Sequence, residues 1–436
     1  MDYQQAIDFL FPLHRFGIKP GLERIGALLD SLGHPERRLG TIVHIAGTNG
    51  KGTVASCMAS IFKASGRKTG LFTSPHLVDF TERIRIDGQE ISQERVADYC
   101  AKLQPAVIEV GATFFEATTA MAFAFFADEG VDAAVLETGM GGRLDATNVV
   151  QSDIVIIPSI GMDHTEWLGG SLREIAGEKA AIIKPGSRVF TAVSSEAEEA
   201  FGPIRDAAEA AGAELHQVER DAEWSVEEVC PGSLALRIAL DGGEPRQIRA
   251  ALTGSFHAPN VCLAIMAARS LGVSWEHIET GLPRLGAFGY RARLERIADK
   301  PVVMLDVSHN PDGMQRTAQS ILELRNCFRF LYVIIGVAAD KDAAGIVNHI
   351  APVADEIVAV ELPTERSLPA EELARLCAEA GAQQVSSRGT SAEALEFLDS
   401  RVEPGDMILV TGSFYLAGEV LAMERFSSAG VAAGVI

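Results

Sequence analysis

Residues 41–53 read TIVHIAGTNGKGT. An apolar run (Ile42, Val43, Ile45) ends in a glycine-rich turn, and Lys51 opens a helix. This is the layout of a phosphate cradle, in which backbone N–H groups and a helix N-terminus face a polyphosphate and the lysine adds a mobile charge. The general P-loop pattern puts Ser or Thr directly after the lysine to hold Mg²⁺. Here Gly52 stands in that place and Thr53 follows, so a magnesium nucleotide needs oxygen ligands from elsewhere. The bland alternative, an ordinary strand–helix turn, is disfavoured by the order strand, GTNGKGT, helix.

Outward from this loop, strands are expected near 41–46, 68–73, 131–136, 153–160 and 188–192, with helices at 51–65, 116–129 and 171–184. That alternation implies right-handed βαβ crossovers and a mainly parallel sheet. Residues 215–250 read as short antiparallel segments around Asp241-Gly242-Gly243, and a helix is expected at 258–271. Pro283, Gly286 and Gly289 suggest a hinge, after which strands near 302–306, 329–335, 355–360, 382–386 and 406–411 are each followed by a helix. The expected division is an α/β nucleotide domain over 1–288, a hinge over 289–300 and a doubly wound α/β domain over 301–436. No internal repeat or low-complexity tract appears, although the tail SSAGVAAGVI reads as frayed.

Open α/β sheets bind ligands at the carboxyl ends of their strands. Four polar turns share that edge: the glycine loop, Ser74-Pro75-His76, Glu137 leading into TGMGGRLDATN, and Asp163-His164. A Ser74 hydroxyl, a Glu137 carboxylate and a His164 imidazole would supply the missing magnesium ligands. Each has an ordinary reading (a turn, a solvated acid, a helix cap), and the argument rests on their common edge. Lys179 falls on the apolar stripe of Leu172, Ile175, Ala176 and Ile183. A buried ammonium is costly, so it either snorkels, pairs with anions or is chemically converted.

The 436 residues carry a formal charge of −21 and 47% apolar content, which argues for packed cores and against nucleic acid as a partner. The six cysteines are scattered without CxxC spacing, as expected of reduced thiols in a cytoplasmic protein. The N-terminus has no signal-peptide core, and no apolar run is long enough to span a membrane.

At this point the motifs resemble a family. GTNGKGT, TSPHLVDFTERIRIDG (73–88), FFE (114–116), ETGMGGRLDATN (137–148), DHTEWLG (163–169), GEKAAIIKPG (177–186), LDVSHNP (305–311) and TGSF (411–414) occur in the order found in folylpolyglutamate synthases. The resemblance covers nearly the whole chain, from LHRFGIKPGLERI at 13–25 onward, and extends to bacterial enzymes that double as dihydrofolate synthases within the Mur-ligase superfamily. It implies a P-loop-type ATPase domain followed by a Rossmann-like domain. The implied activity is ATP-dependent ligation of L-glutamate to folate, folylpolyglutamate or dihydropteroate through an acyl phosphate, by a monomer.

Carried over by the resemblance, Asn49, Gly50, Lys51, Gly52 and Thr53 hold the ATP phosphates, and Asn260, Arg293 and Asp306 also contact the nucleotide. Ser74, Glu137 and His164 ligate Mg²⁺ at two sites, together with Lys179 as a carbamate; a monovalent cation is also compatible. His309 lies beside the acyl phosphate, just before the helix cap Asn310 and Pro311, and joins Lys51 and Lys179 as catalytic. Lys19, Pro20, Gly21, Thr113, Phe114, Phe115, Glu116, Leu144, Asp145 and Ala146 fall where the family binds the pterin substrate. The chain departs in the hinge, where the family's Gly-Arg is Ala292-Arg293, with Arg291 nearby. Three other readings stay open: a cell-wall Mur ligase, a P-loop kinase or GTPase, and a silent nucleotide-binding partner. Phosphate release that needs both a pterin and glutamate separates them.

Overall fold

The computed structural model describes residues 1–16 and 21–426. The chain divides into two compact units: unit 1 is Met1–Ser225, Leu236–Ala250 and Ala258–Gly289, and unit 2 is Val226–Ala235, Ala251–His257 and the chain from Tyr290.

Unit 1 is built on β1 (Thr41–Ile45), β2 (Thr69–Phe72), β3 (Ile84–Ile86), β4 (Gln89–Glu90), β5 (Ala133–Glu137), β6 (Ile154–Ile157), β7 (Arg188–Thr191) and β8 (Glu214–Gln217). Their order is β4-β3-β2-β5-β1-β6-β7-β8. The run from β2 to β8 is parallel. β3 and β4 add an antiparallel edge. The central strands are apolar almost without interruption, as burial on both faces requires. Two expectations change here. β8 joins this sheet parallel to β7 instead of opening an antiparallel region. The helix expected at 171–184 ends at Ala180, and Ile183 is buried beyond it.

Helix Lys51–Ala64 is buried continuously from Gly52 to Phe62. Its small residues let neighbours approach: Ser60 donates its hydroxyl to the Gly281 carbonyl at 2.7 Å. Helix Phe114–Glu129 is apolar all round and begins at a capping box, in which Thr113 and Glu116 satisfy each other's backbone N–H groups.

β9 (Ala222–Cys230), β10 (Ser233–Leu240) and β11 (Arg246–Ala250) form a small sheet of order β11-β10-β9. Unit 2 contains β12 (Arg293–Asp299), β13 (Val302–Asp306), β14 (Leu331–Ile335), β15 (Glu356–Val360), β16 (Val385–Arg388) and β17 (Met407–Thr411), in the order β12-β13-β17-β14-β15-β16. From β13 to β16 the sheet is parallel. The segment read as a hinge holds β12, which pairs antiparallel with β13 with two register shifts. Among the described residues no helix is long and apolar enough to cross a membrane.

Candidate functional site

The register of unit 1 fixes what meets at the carboxyl edge. Ile45 lies opposite Glu137 on one side, and β6 flanks β1 on the other. The glycine loop therefore rises between two strand ends. Ser159, just past β6, accepts from the Asn49 N–H at 2.9 Å and donates to the Asn49 carbonyl at 3.0 Å. Thr48 exchanges hydrogen bonds with the Gly161 backbone at 3.0 and 3.1 Å. Gly50 stands at φ +88°, and a Cβ there would come within 2.5 Å of Asn260 Oδ1. The expected loop residue Asn49, the helix start and Asn260 are thus brought together. Gly52 and Thr53 lie buried in the first turn of the helix.

Two lysines converge on this loop. Lys51 Nζ donates to the carbonyls of Gly47 (2.9 Å) and Thr48 (3.4 Å), and Lys179 Nζ donates to Gly47 at 3.1 Å. Lys179 is 2% exposed, so snorkelling does not describe it. Burial and the neighbouring Lys51 charge lower its pKa from 10.5 to about 8, against the pull of Asp163 and Asp145.

Of the expected magnesium ligands, Glu137 and Ser74 are together: the buried Glu137 carboxylate accepts from the Ser74 N–H at 3.2 Å. His164 is exposed, with Asp163 at 3.7 Å. Among the described residues no three His, Cys, Asp or Glu side chains cluster as a ready metal cage. Mg²⁺ does not need one, because it keeps several waters and takes one or two carboxylates plus substrate phosphates. A buried carboxylate beside a serine, at the mouth of the glycine loop, fits that donor chemistry.

Next to this edge lies a cavity of about 400 Å³, lined by Ser74, Thr113, Phe114, Phe115, Glu116, Leu144, Asp145 and Ala146 among others. Seven of the expected substrate residues therefore share one wall. Lys19 and Pro20 lie outside the described residues, and Gly21 stands at φ +130°. Glu116 faces inward paired with Arg24 at 2.9 Å. Gly142 docks the 139–146 loop on helix Leu172–Ala180, where a Cβ would meet the Glu178 carbonyl at 2.7 Å.

Asp145 is held by four donors: the N–H groups of Gly139, Met140 and Thr147 and the Thr147 hydroxyl. Burial pushes its pKa up, while these bonds favour the carboxylate. Thr147 has one hydroxyl proton and gives it to Asp145, so His44 Nε2, 2.8 Å from the same oxygen, must be the protonated ring nitrogen. His44 Nδ1 has no hydrogen-bond partner among the described residues. Protonating it would bury an unmet N–H, and burial, with Lys184 nearby, holds the pKa at about 3.

Sequence reasoning passed over Leu13, Pro75, Arg83, Gly139 and Met140 on this wall. Arg83 matters most. It is 6% exposed, donates from Nε to His76 Nδ1 at 2.7 Å, and lies 5.1 Å over the Phe114 ring. Burial lowers its pKa to about 10, so it stays cationic at neutral pH, with Glu82 and Glu137 opposing the shift. Nothing in the run Arg83-Ile84-Arg85-Ile86 marks its arginines as buried, yet both are.

In unit 2, Asp306 accepts from the N–H groups of Leu294 and Ser308 and from the hydroxyls of Thr317 and Thr411. His309 donates from Nδ1 to the Val307 carbonyl at 2.9 Å, leaving Nε2 as an acceptor, and packs 5.1 Å from the Phe414 ring. Asn310 caps helix Pro311–Glu323, with Pro311 in its first turn, as expected. Arg291 is paired with Glu295 at 2.9 Å, whereas Arg293 reaches the Arg291 carbonyl at 3.5 Å.

Residues 45–268 match the Mur ligase middle domain and residues 292–414 the Mur ligase glutamate ligase domain. Over 96% of its length the chain is 32% identical to the dihydrofolate synthase/folylpolyglutamate synthase of Bacillus subtilis, covering 98% of that protein. It is 34% identical to a probable bifunctional folylpolyglutamate synthase/dihydropteroate synthase of Haloferax volcanii, but spans only 50% of that longer protein. A solved Escherichia coli structure in complex with DHPP and ADP matches with a TM-score of 0.83 at 29% identity, covering 97% of each chain.

Proposed function

The chain belongs to the folylpolyglutamate synthase family of the Mur ligase superfamily, and from that premise we propose that it is an ATP-dependent ligase joining L-glutamate to the carboxylate of a folate, and of dihydropteroate, through an acyl phosphate. One observation carries this reading: Ser74 both lines the apolar cavity and donates its N–H to Glu137, beside the phosphate loop. A pterin-bearing acid in the cavity and a nucleotide on the loop would meet at that residue.

The cavity suits a flat heteroaromatic acid. Phe114 and Phe115 offer ring faces, Arg83 a buried cation, and Asp145 a carboxylate fixed by its own loop. In the first step a carboxylate oxygen of the acid attacks the γ-phosphorus, and the bond to the ADP oxygen breaks. In the second, the glutamate amine attacks the acyl carbon, phosphate leaves, and the amine proton passes to solvent. Both steps move negative charge between oxygens, so neutralisation and alignment matter more than a protein nucleophile. Lys51 would exchange its loop carbonyls for phosphate oxygens. Bound Mg²⁺, held through Glu137 and Ser74 with His164 as a further ligand, would neutralise the polyphosphate.

We also propose that Lys179 carries a carbamate. A buried amine with a pKa near 8 is partly neutral at working pH, and CO₂ adds to neutral amines with loss of a proton. The product would replace a second cation beside Lys51 by an anion. Asp306 and His309 of unit 2, with Arg293 chosen over the paired Arg291, are proposed to serve the same ligation.

The test is phosphate release measured with each substrate withheld in turn. Release is expected only with ATP, Mg²⁺, the acid and glutamate together, with dihydropteroate and a reduced folate tried separately as the acid. Release that ignores the acid would overturn the reading. Turnover of a uridine-nucleotide peptide precursor instead would favour a peptidoglycan ligase.

A further inference from the structure

Arg293 sits in an unusual bracket. Among the described residues, the non-glycine positions at positive φ are His34, Asp87, His164, Asp241, Ala292 and Leu294. His and Asp visit that region comparatively often; alanine and leucine rarely do. Ala292 (φ +50°) and Leu294 (φ +53°) lie on either side of Arg293. Such conformations persist only where the surroundings over-determine them, and they gather at functional segments.

Four of the six backbone groups of the bracket have an identified holder within unit 2. The Ala292 N–H donates to Glu295 at 2.7 Å, and the Ala292 carbonyl accepts from the Val307 N–H at 3.0 Å. The Leu294 N–H donates to Asp306 at 3.2 Å, and the Leu294 side chain is buried in the core cluster. The Arg293 carbonyl accepts from the Tyr290 hydroxyl. That hydroxyl has a single proton, so His257 Nε2, 2.9 Å from the same oxygen, must be the donor to it. The result is a directed relay: His257 Nε2–H to Tyr290 Oη–H to the Arg293 carbonyl. The His257 ring is 2% exposed, and its Nδ1 has no hydrogen-bond partner among the described residues. The hydrogen bond identified for this buried ring is therefore the one made by Nε2.

We propose that His257 and Tyr290 are positioning residues that hold the strained backbone at Arg293 and so aim its guanidinium for nucleotide binding. The inference rests on the reading of Arg293 as a nucleotide contact. If the relay acts through Arg293, its loss and the loss of the guanidinium cannot add.

The test is a double-mutant cycle on the full chain, with kcat and KM for ATP at saturating acid and glutamate, and the thermal midpoint recorded alongside. Arg293→Ala and Tyr290→Phe are each expected to raise KM for ATP about tenfold, the first by losing a charged hydrogen bond to the nucleotide and the second by misaiming it. The double variant should be no worse than the weaker single one. His257→Leu should behave as Tyr290→Phe does, while His257→Gln, which keeps a donor near Nε2, should recover most of the affinity. That pair keeps the question open to test if Tyr290→Phe fails to fold. Multiplying effects in the double variant, or a KM unchanged in Tyr290→Phe, would overturn the proposal while leaving Arg293 a contact. An unchanged KM in Arg293→Ala would instead overturn the underlying reading of Arg293.

Discussion

The glycine loop of unit 1 and the arginine segment of unit 2 both hold backbone at positive φ, and they do it with opposite means. The loop uses Gly50, whose missing side chain makes room for Asn260. The segment uses Ala292 and Leu294, at about 1–2 kcal/mol of strain each, and restrains them with Glu295, Asp306 and Tyr290. The loop is therefore sensitive to what is added and the segment to what is removed.

The largest expected effect tests the loop. Gly50→Ala puts a Cβ 2.5 Å from Asn260 Oδ1 on a backbone already at φ +88°. Displacing the phosphate N–H groups by even an ångström should cost about a hundredfold in turnover. Near-normal phosphate release from that variant would mean the loop does not cradle phosphate. Lys51→Ala should lower kcat by about a hundredfold with little change in thermal midpoint, since its present partners are loop carbonyls. A matching fall in stability would recast it as structural.

How much of this contrast is legible in sequence follows from its chemistry. Gly47 and Gly50 announce the loop, since Gly50 takes φ +88° and a Cβ on Gly47 would lie 3.1 Å from Pro158. The parallel strands, the helix from Lys51 and the wall formed by Thr113–Glu116 and Leu144–Ala146 could be read for similar local reasons. Ala292 and Leu294 announce nothing, because their conformation is imposed by Asp306 and Tyr290 through folding. β12 was hidden for the same reason, its glycine-bearing approach resembling a hinge. Arg83 and His44 looked ordinary because their burial depends on partners far along the chain.

A third, smaller effect concerns unit 2 side chains. His309→Ala should reduce turnover roughly tenfold to a hundredfold without unfolding, because the ring's hydrogen bond is to its own loop carbonyl. Full activity would remove unit 2 from the chemistry.

Lys179 gives a pH prediction with a definite sign. Its pKa falls from 10.5 to about 8 on folding, so the unfolded chain binds more protons between those values. This group's contribution to stability should therefore rise with pH from about 8 to 10.5. Activity should fall below pH 8 in CO₂-depleted buffer, as the neutral amine disappears. A CO₂-independent profile would leave Lys179 a simple buried cation.

The smallest effect sharpens the contrast from the other side. Ala292→Gly relieves about 1–2 kcal/mol of left-handed strain but adds chain entropy worth about 0.5–1 kcal/mol and removes a buried methyl worth about 0.8 kcal/mol, so stability should stay within about 1 kcal/mol. Turnover should change less than about threefold, because the tethers on the segment remain. A loss of stability greater than about 1 kcal/mol would show that the bracket is not strained.

The central claim is that the acid's own carboxylate takes the phosphoryl group. Labelling that carboxylate with heavy oxygen and recovering the phosphate tests it directly. An acyl phosphate transfers one labelled oxygen into the released phosphate for each amide formed. Unlabelled phosphate, released in step with glutamate addition, would contradict the account.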